Sequence, residues 1–324
     1  MLFLDFLINA FAFGITFLYG STGEIITEKA GHLNLGIPGI MGVGGACGCA
    51  ALNIMCAAGN LPPWLIVIIG LLAAFAGGAL MGLLYSFLTV TLRSNQNVTG
   101  LAMTIFGIGL TKYLFYTLAK KPANSETPVI HYLKALDYYR FPFAGQKSSL
   151  VYCGIMVFLG IAIAIVASII LTRTRVGLHL RAVGESPATA DAAGINVTRY
   201  KYVATIIGSG IAALGGLFYI MDYQGSQEAY LSIEAMGWLS VALVIFSLWR
   251  PYLSIIGSFV FGALFILASY LPVFGVSVNM ATSNLIKTLP YVVTILVLIV
   301  TSIINRRENQ PPASLGVSYF REDR

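Results

Sequence analysis

The run Thr22-Gly23-Glu24-Ile25-Ile26-Thr27-Glu28-Lys29-Ala30-Gly31-His32-Leu33-Asn34-Leu35-Gly36 puts two carboxylates, an ammonium, an imidazole and an amide between two apolar stretches. Glu24 and Glu28 share one face at i, i+4 spacing on a helix. Hydrolytic or transfer chemistry would need a base, a nucleophile and an oxyanion donor together, and this set offers no such combination. Two readings stay open. The run is a cytoplasmic loop that caps the following apolar span, or it is a wall of a polar pathway, since polar groups at membrane depth face a cavity or a bundle interior. On the second reading Glu24 and Asn34 are pathway residues.

A second polar notch, Arg93-Ser94-Asn95-Gln96-Asn97-Val98-Thr99-Gly100, opens another apolar stretch. An Asn or Ser here caps a helix by accepting from its free N–H groups, and the capping reading is preferred. The alternative is a hydrogen-bonding lining for a polar solute, which adds Asn95, Asn97 and Thr99 to the pathway candidates. In 172–201, Ser186 followed by Pro187 is a helix start and Gly194 a stop. A helix of about two turns is marginal alone in water, so it makes sense docked in a partner's groove, although a solvated connector is the plainer alternative.

Catalytic and metal signatures are missing. The phosphate-binding pattern G-x-x-x-x-G-K-[ST] does not occur, with Gly145-Gln146-Lys147-Ser148 breaking it. His32, His131 and His179 are far apart, and there is no G-x-S-x-G. Cys47, Cys49, Cys56 and Cys153 all fall in apolar stretches, and Cys47 and Cys49 point to different helix faces, so they read as small packing residues rather than a tetrahedral metal site. No catalytic residue and no bound metal is expected. Asn97-Val98-Thr99 and Asn196-Val197-Thr198 match the glycosylation pattern, but both fall on the side assigned below as cytoplasmic.

The elements that must position these residues are membrane helices. Of 324 residues, 10% are charged and 57% hydrophobic, against about 25% charged in soluble domains; this excludes a water-soluble globule and a disordered chain. No Asp, Glu, Lys or Arg occurs in 30–92, 148–172, 251–286 or 288–305. A spanning helix needs about 20 apolar residues, so these windows predict an all-α, polytopic bundle of about nine spans (eight to ten): 2–20, 35–57, 63–92, 96–118, 150–171, 202–221, 235–249, 252–271 and 286–304. The seventh is short enough to be bent or re-entrant. The first lacks a basic leader and is read as retained. Gly44 with Gly48, Gly78 with Gly82, and Ser209, Ala213 and Gly216 have the spacing of close helix contacts in lipid. An odd span count puts the termini on opposite sides, and the Lys and Arg bias puts 172–201 and the C-terminus inside. Loop 119–149, with five basic residues outside, is the exception, read as a small translocated cap. The net charge of +6 is then positive-inside bias, with no nucleic-acid partner implied.

Gly177-Leu-His-Leu-Arg181-Ala-Val-Gly184-Glu185-x-Pro187-x-x-Ala190-x-x-x-Gly194-Ile195-Asn196-Val197 resembles the cytoplasmic coupling loop of ABC importer permeases, in the branch that carries simple sugars, nucleosides and branched-chain amino acids. Gly23-Glu24 through Met41 is similar to the N-terminal signature of that branch, closest to its nucleoside-type, basic-membrane-protein-associated members. Asn95-Gln96 through Gly100 and Gly237-Trp238 through Pro251 resemble two further family segments. Pro38 stands where many members carry Glu, which marks a different ligand or the unlike partner of a heterodimer.

The resemblance implies a membrane domain over 1–304 with its coupling loop at 172–201, and a cytoplasmic tail at 305–324, here read as a mobile extension. It implies a permease subunit, not an enzyme, in a bacterial cytoplasmic membrane and surrounded by lipid. It would be paired with a second permease and an extracytoplasmic binding protein, and driven by partner ATPase subunits that use ATP, this chain binding no cofactor itself. Arg181, Gly184, Glu185, Pro187, Ala190, Gly194 and Ile195 are the implied coupling residues: Arg181 and Glu185 pair with ATPase charges, and small Ala190 and Gly194 allow close contact. The competing class is a secondary transporter or channel that needs no ATPase.

Overall fold

The computed structural model describes residues 2–58, 61–118, 132–139, 154–275, 277, 279–304 and 310–320. These form helices and connecting turns, with no strand among the described residues. Among the described residues, nine helical segments are long and apolar enough to cross a membrane. The chain enters as α1 (Leu2–Lys29), α2 (Ile37–Ala58), α3 (Pro63–Ser86, prolonged by a wide π turn over Phe87–Thr91) and α4 (Gln96–Leu118). A 3₁₀ turn at Tyr132–Ala135 and the short α5 (Leu136–Tyr139) follow, then α6 (Ile155–Arg173). Two short helices, α7 (Arg175–Glu185) and α8 (Pro187–Ala192), lead into α9 (Val197–Leu217), which also ends in a π turn, over Phe218–Gln224. The last spans are α10 (Ile233–Phe246), α11 (Pro251–Tyr270) and the pair α12 (Met280–Ile286) and α13 (Leu289–Ile304).

Span by span the expected pattern is present, and the differences have local causes. The first span does not stop at residue 20. Residues 22–29 continue α1, where Glu24 and Glu28 each accept a hydrogen bond inside the protein, from Asn34 N–H and the Trp249 indole, and helical backbone satisfies its own polar groups. At 28 residues α1 is about 42 Å long, well beyond ~30 Å of hydrocarbon, so its last two turns project past the membrane core. The seventh span gains length from a 3₁₀ lead at Gln227–Ser232 and with it is long and apolar enough to cross. The ninth starts earlier, at Met280, and is broken at Lys287–Thr288, where Pro290 has no N–H to continue the ladder. Of loop 119–149 only 132–139 is described; there Tyr139 donates from its hydroxyl to the Val67 carbonyl at 3.2 Å, closing over α3. Cys153 lies outside the described residues.

The core is the contact of α1, α2, α3 and α9, and small residues create it. Gly216 of α9 lies directly on the Met41 carbonyl of α2, where a Cβ has no room. Gly44 of α2 and Gly78 of α3 both face Ala213. In lipid no hydrophobic force presses helices together, so dispersion at backbone distance does the work. Outward faces are apolar instead: Leu72, Leu80, Ile105 and Ile256 are exposed, as a lipid-facing wall requires.

Candidate functional site

Where α1 projects past the core, its last turns meet the 30–36 loop, the end of α3 and the start of α9 in a buried polar knot. Glu24 is fully buried and accepts from the Asn34 backbone N–H at 3.0 Å. One turn on, Glu28 accepts from the Trp249 indole N–H. Leu248 and Trp249 both hold left-handed backbone, φ +53° and +56°. That conformation is costly for bulky residues and is retained at the turn that delivers the indole to the carboxylate. His32 sits between Thr205 Oγ1 and Thr89 Oγ1, each 2.8 Å away. Burial, with Lys201 nearby, pushes its imidazole down to about 3, so at neutral pH it is uncharged, one ring nitrogen donating and the other accepting.

The same loop is gripped from three sides. Gln96 accepts from Leu33 N–H at 2.8 Å, Tyr85 donates to the Leu33 carbonyl, and Thr104 donates to the Leu35 carbonyl at 2.7 Å. Asn34 Oδ1 accepts from Gly36 N–H at 2.9 Å and prepares the turn into α2. Pro38, in the first turn of α2, is buried against Gly237 of α10, which has no Cβ to obstruct it.

Of the five pathway candidates the structure brings Glu24 and Asn34 together and keeps Thr99 buried beside Ser94, 2.8 Å between hydroxyls. Asn95 and Asn97 are exposed. Asn95 is the cap: its Oδ1 accepts from the N–H groups of Asn97 and Val98 at 3.0 and 3.1 Å. None of the five lines the cavity of about 690 Å³ that opens nearby, next to His32, Gln96 and Lys201. Gln96, in the polar notch that opens α4, does line it, as do His32 and Lys201, while Trp249 reaches Glu28 instead. A buried Trp needs an acceptor for its N–H; that was the one available signal for Trp249.

The 172–201 segment forms an arm on the same end of the bundle. Thr174 caps α7, its hydroxyl accepting from Gly177 N–H at 3.1 Å. α7 turns Leu180, Val183 and Gly184 inward and leaves Arg181 and Glu185 exposed. Gly184 rests on the Lys29 carbonyl at the end of α1. Ser186 caps α8 through Thr189 N–H at 3.4 Å, and Gly194 ends the turn at φ +82° with open space around it. Pro187 and Ile195 are half-buried. Ala190 corrects the expected contact surface: it is 3% exposed and packs inside the chain with Val183 and Val197. At i, i+4 and beyond, Ala188, Thr189, Ala192, Ala193 and Gly194 face outward, so the small-residue face exists one register away.

The tail also departs from expectation. Residues 310–320 do not extend freely but lie across this arm. Ser314 N–H donates to the Gly184 carbonyl at 3.0 Å, and the Tyr319 hydroxyl donates to Asp191 Oδ2 at 2.9 Å. Gln96 Nε2 donates to the Val317 carbonyl at 3.3 Å, and the Phe320 ring lies under the Arg93 guanidinium at 4.9 Å. One strap thereby joins α7, α8 and the start of α4. The apolar surface of Leu315 and Tyr319 provides its anchorage.

No group of three or more metal-ligating side chains occurs among the described residues. The comparisons with known proteins agree with a transport role. The profile of the family described as branched-chain amino acid transport system / permease component matches residues 6–301. The guanosine ABC transporter permease protein NupQ of Bacillus subtilis is 31% identical over 314 residues, covering 93% of this chain and 92% of its own. The nucleoside ABC transporter permease protein NupC of Lactococcus lactis subsp. cremoris is 29% identical over 295 residues, 90% of each chain. The putative glucose ABC transporter permease protein TsgC13 of Haloferax volcanii is 30% identical over 247 residues, covering 76% of this chain and 71% of its own. With nine membrane-crossing helices and a match spanning nearly the whole membrane body, the chain belongs to the branched-chain amino acid transport system permease family and is a multi-pass permease subunit of an ABC importer.

Proposed function

We propose that this permease imports a nucleoside, with a simple sugar as the next candidate, and that partner ATPase subunits drive it through the α7–α8 arm. The observation that supports the coupling reading is the split character of α8. Its inner face, Ala190, is anchored to the body, while Ala188, Thr189, Ala192 and Ala193 present a small-residue surface to the outside. A docked helix must do both, since a partner's push on the outer face reaches the bundle only through the inner one. Gly184 against Lys29 and the Ser314 bond to Gly184 carry that push to the end of α1 and, through the 30–36 loop, to α2. Arg181 and Glu185, exposed on α7, are the charged rim of this joint.

On this reading the arm is cytoplasmic. Lys29, Arg93, Arg173, Arg175, Arg181, Arg199, Lys201 and Arg250 all fall at helix ends on its side of the bundle, as the positive-inside rule predicts. The N-terminus is then external, the membrane is the bacterial cytoplasmic one, and a second permease and an external binding protein complete the importer. Glu24 and Asn34 serve the pathway by fixing the loop that starts α2. Nucleoside selectivity rests on the names of NupQ and NupC, and the sugar alternative on TsgC13.

The test is uptake. The chain, co-expressed with candidate ATPase and second-permease subunits, is placed in vesicles with a binding protein outside, and labelled guanosine, adenosine and glucose are offered with and without internal ATP. ATP-dependent uptake of a nucleoside over glucose is the expected result. Uptake indifferent to ATP but driven by an ion gradient would overturn the coupling reading; ATP-driven uptake of glucose alone would overturn only the solute.

A further inference from the structure

The cavity of about 690 Å³ beside the arm is bounded by the π turn that prolongs α3, the first turns of α9, the α8–α9 connection and residues 318–319 of the strap. Among the described residues, the cationic side chains Arg93, Arg199 and Lys201 line it together with the carboxylate of Asp191, which accepts from the Tyr319 hydroxyl; Arg93 has a partner of its own. Lys201 is decisive. It is 3% exposed and lines the cavity, with no hydrogen bond or ion pair to its ammonium among the described residues. His32 beside it is neutral and offers no countercharge. An ammonium on a side chain this enclosed, opening onto the cavity, is stabilised by an anion that enters it.

The other walls suit an anion as well. The N-terminus of α9, with its positive dipole end, opens on the same space. Asn196 caps that helix through Oδ1, accepting from Arg199 N–H at 2.9 Å, which holds Arg199 at the rim. On the membrane side of the cavity the helix surfaces are apolar. Val203 and Ile207 of α9, Leu83 of α3 and Phe87 of its π turn are exposed, each pair at helical spacing. Basic recesses between membrane helices on the cytoplasmic side have the charge that anionic headgroups seek.

We propose that this cavity binds a net-anionic phosphate group, with Lys201 and Arg199 as its cationic contacts. An anionic phospholipid headgroup, its acyl chains against the exposed Val203 and Ile207, and a free phosphorylated metabolite share this chemistry. The site does not depend on the transport reading, and its test involves no uptake.

The full chain, purified and delipidated, is followed by thermal unfolding in four additions: phosphatidylglycerol micelles, phosphatidylcholine micelles, adenosine monophosphate and adenosine. The midpoint is expected to rise with phosphatidylglycerol or adenosine monophosphate, and not with phosphatidylcholine or adenosine. A shift with the lipid alone identifies a headgroup site; a shift with the nucleotide identifies a soluble ligand. Lys201→Met and Arg199→Gln should each weaken the apparent affinity about tenfold, the loss of one charge-assisted hydrogen bond. Lys287→Gln, at the opposite end of the bundle, should leave it unchanged. Arg199 is exposed, so its variant keeps the test open if Lys201→Met does not fold. Absence of any shift, equal shifts in wild type and both variants, or a Lys201→Met defect confined to binding of ATPase subunits would overturn the proposal, the last by giving the cavity to an acidic group of the partner.

Discussion

Single side chains in the polar knot carry consequences that can be measured directly. Glu24 satisfies the Asn34 N–H from a fully buried position. Truncation to Ala leaves that donor unpaired, which costs about 1–3 kcal/mol; Glu24→Gln keeps an acceptor oxygen and should recover most of it. Chemical or thermal unfolding in detergent reads both. His32 gives a pH signature. Its neighbours are Lys201 of α9, which opposes a second positive charge, and the Tyr85 ring of α3, 5.1 Å between centroids. With a folded value of about 3 against 6.5 for the free side chain, the unfolded chain binds a proton between those values that the native chain does not. The contribution of His32 is therefore complete above pH 6.5 and lost as pH falls toward 3, by at most about 1.4 kcal/mol per pH unit. The midpoint of the wild type should fall more steeply between pH 7 and pH 5 than that of His32→Asn; parallel slopes would contradict a neutral buried imidazole.

Among the elements, α8 is the one whose two faces can be separated by substitution. Ala192→Trp adds bulk to the exposed face and should leave thermal stability within ~0.5 kcal/mol, as for exposed sites generally, while ATP hydrolysis by the assembled importer no longer tracks uptake. Ala190→Trp, by contrast, overfills the Val183–Val197 contact and should cost stability in the range of about 1–3 kcal/mol or more. If Ala192→Trp transports with normal coupling, this face is not the docking surface. The sequence shows the start and stop of α8 in Ser186-Pro187 and Gly194, because capping and left-handed termination are local chemistry. It does not show which alanine faces inward, because α8 has no charged stripe to set its rotation; the packing of Ala190 with Val183 and Val197, covered by Tyr319 of the strap, shows it.

The whole molecule depends on glycine-mediated contact of α1, α2, α3 and α9. Gly216→Ala pushes a methyl into the Met41 carbonyl and should reduce the folded, monodisperse fraction on size-exclusion chromatography, an overpacking cost of about 1–3 kcal/mol. A normal profile and midpoint would mean that α2 and α9 are free to separate. At this scale the sequence by itself determined the number and order of the spans, because burial of a hydrogen-bonded apolar helix in lipid depends on length and charge content alone. It also determined the family, through the contiguous motifs at 23–41 and 177–197. The tertiary structure alone decided that Glu24 and Asn34 form an internal knot with His32 and Trp249 while Asn95 and Asn97 stay outside it. It alone folded residues 310–320 back as a strap and left Lys201 buried over a cavity. These outcomes rest on non-local partners: a polar side chain in a span boundary has the same local sequence whether a carbonyl, a water or an anion completes it, and only the neighbouring helices supply the choice.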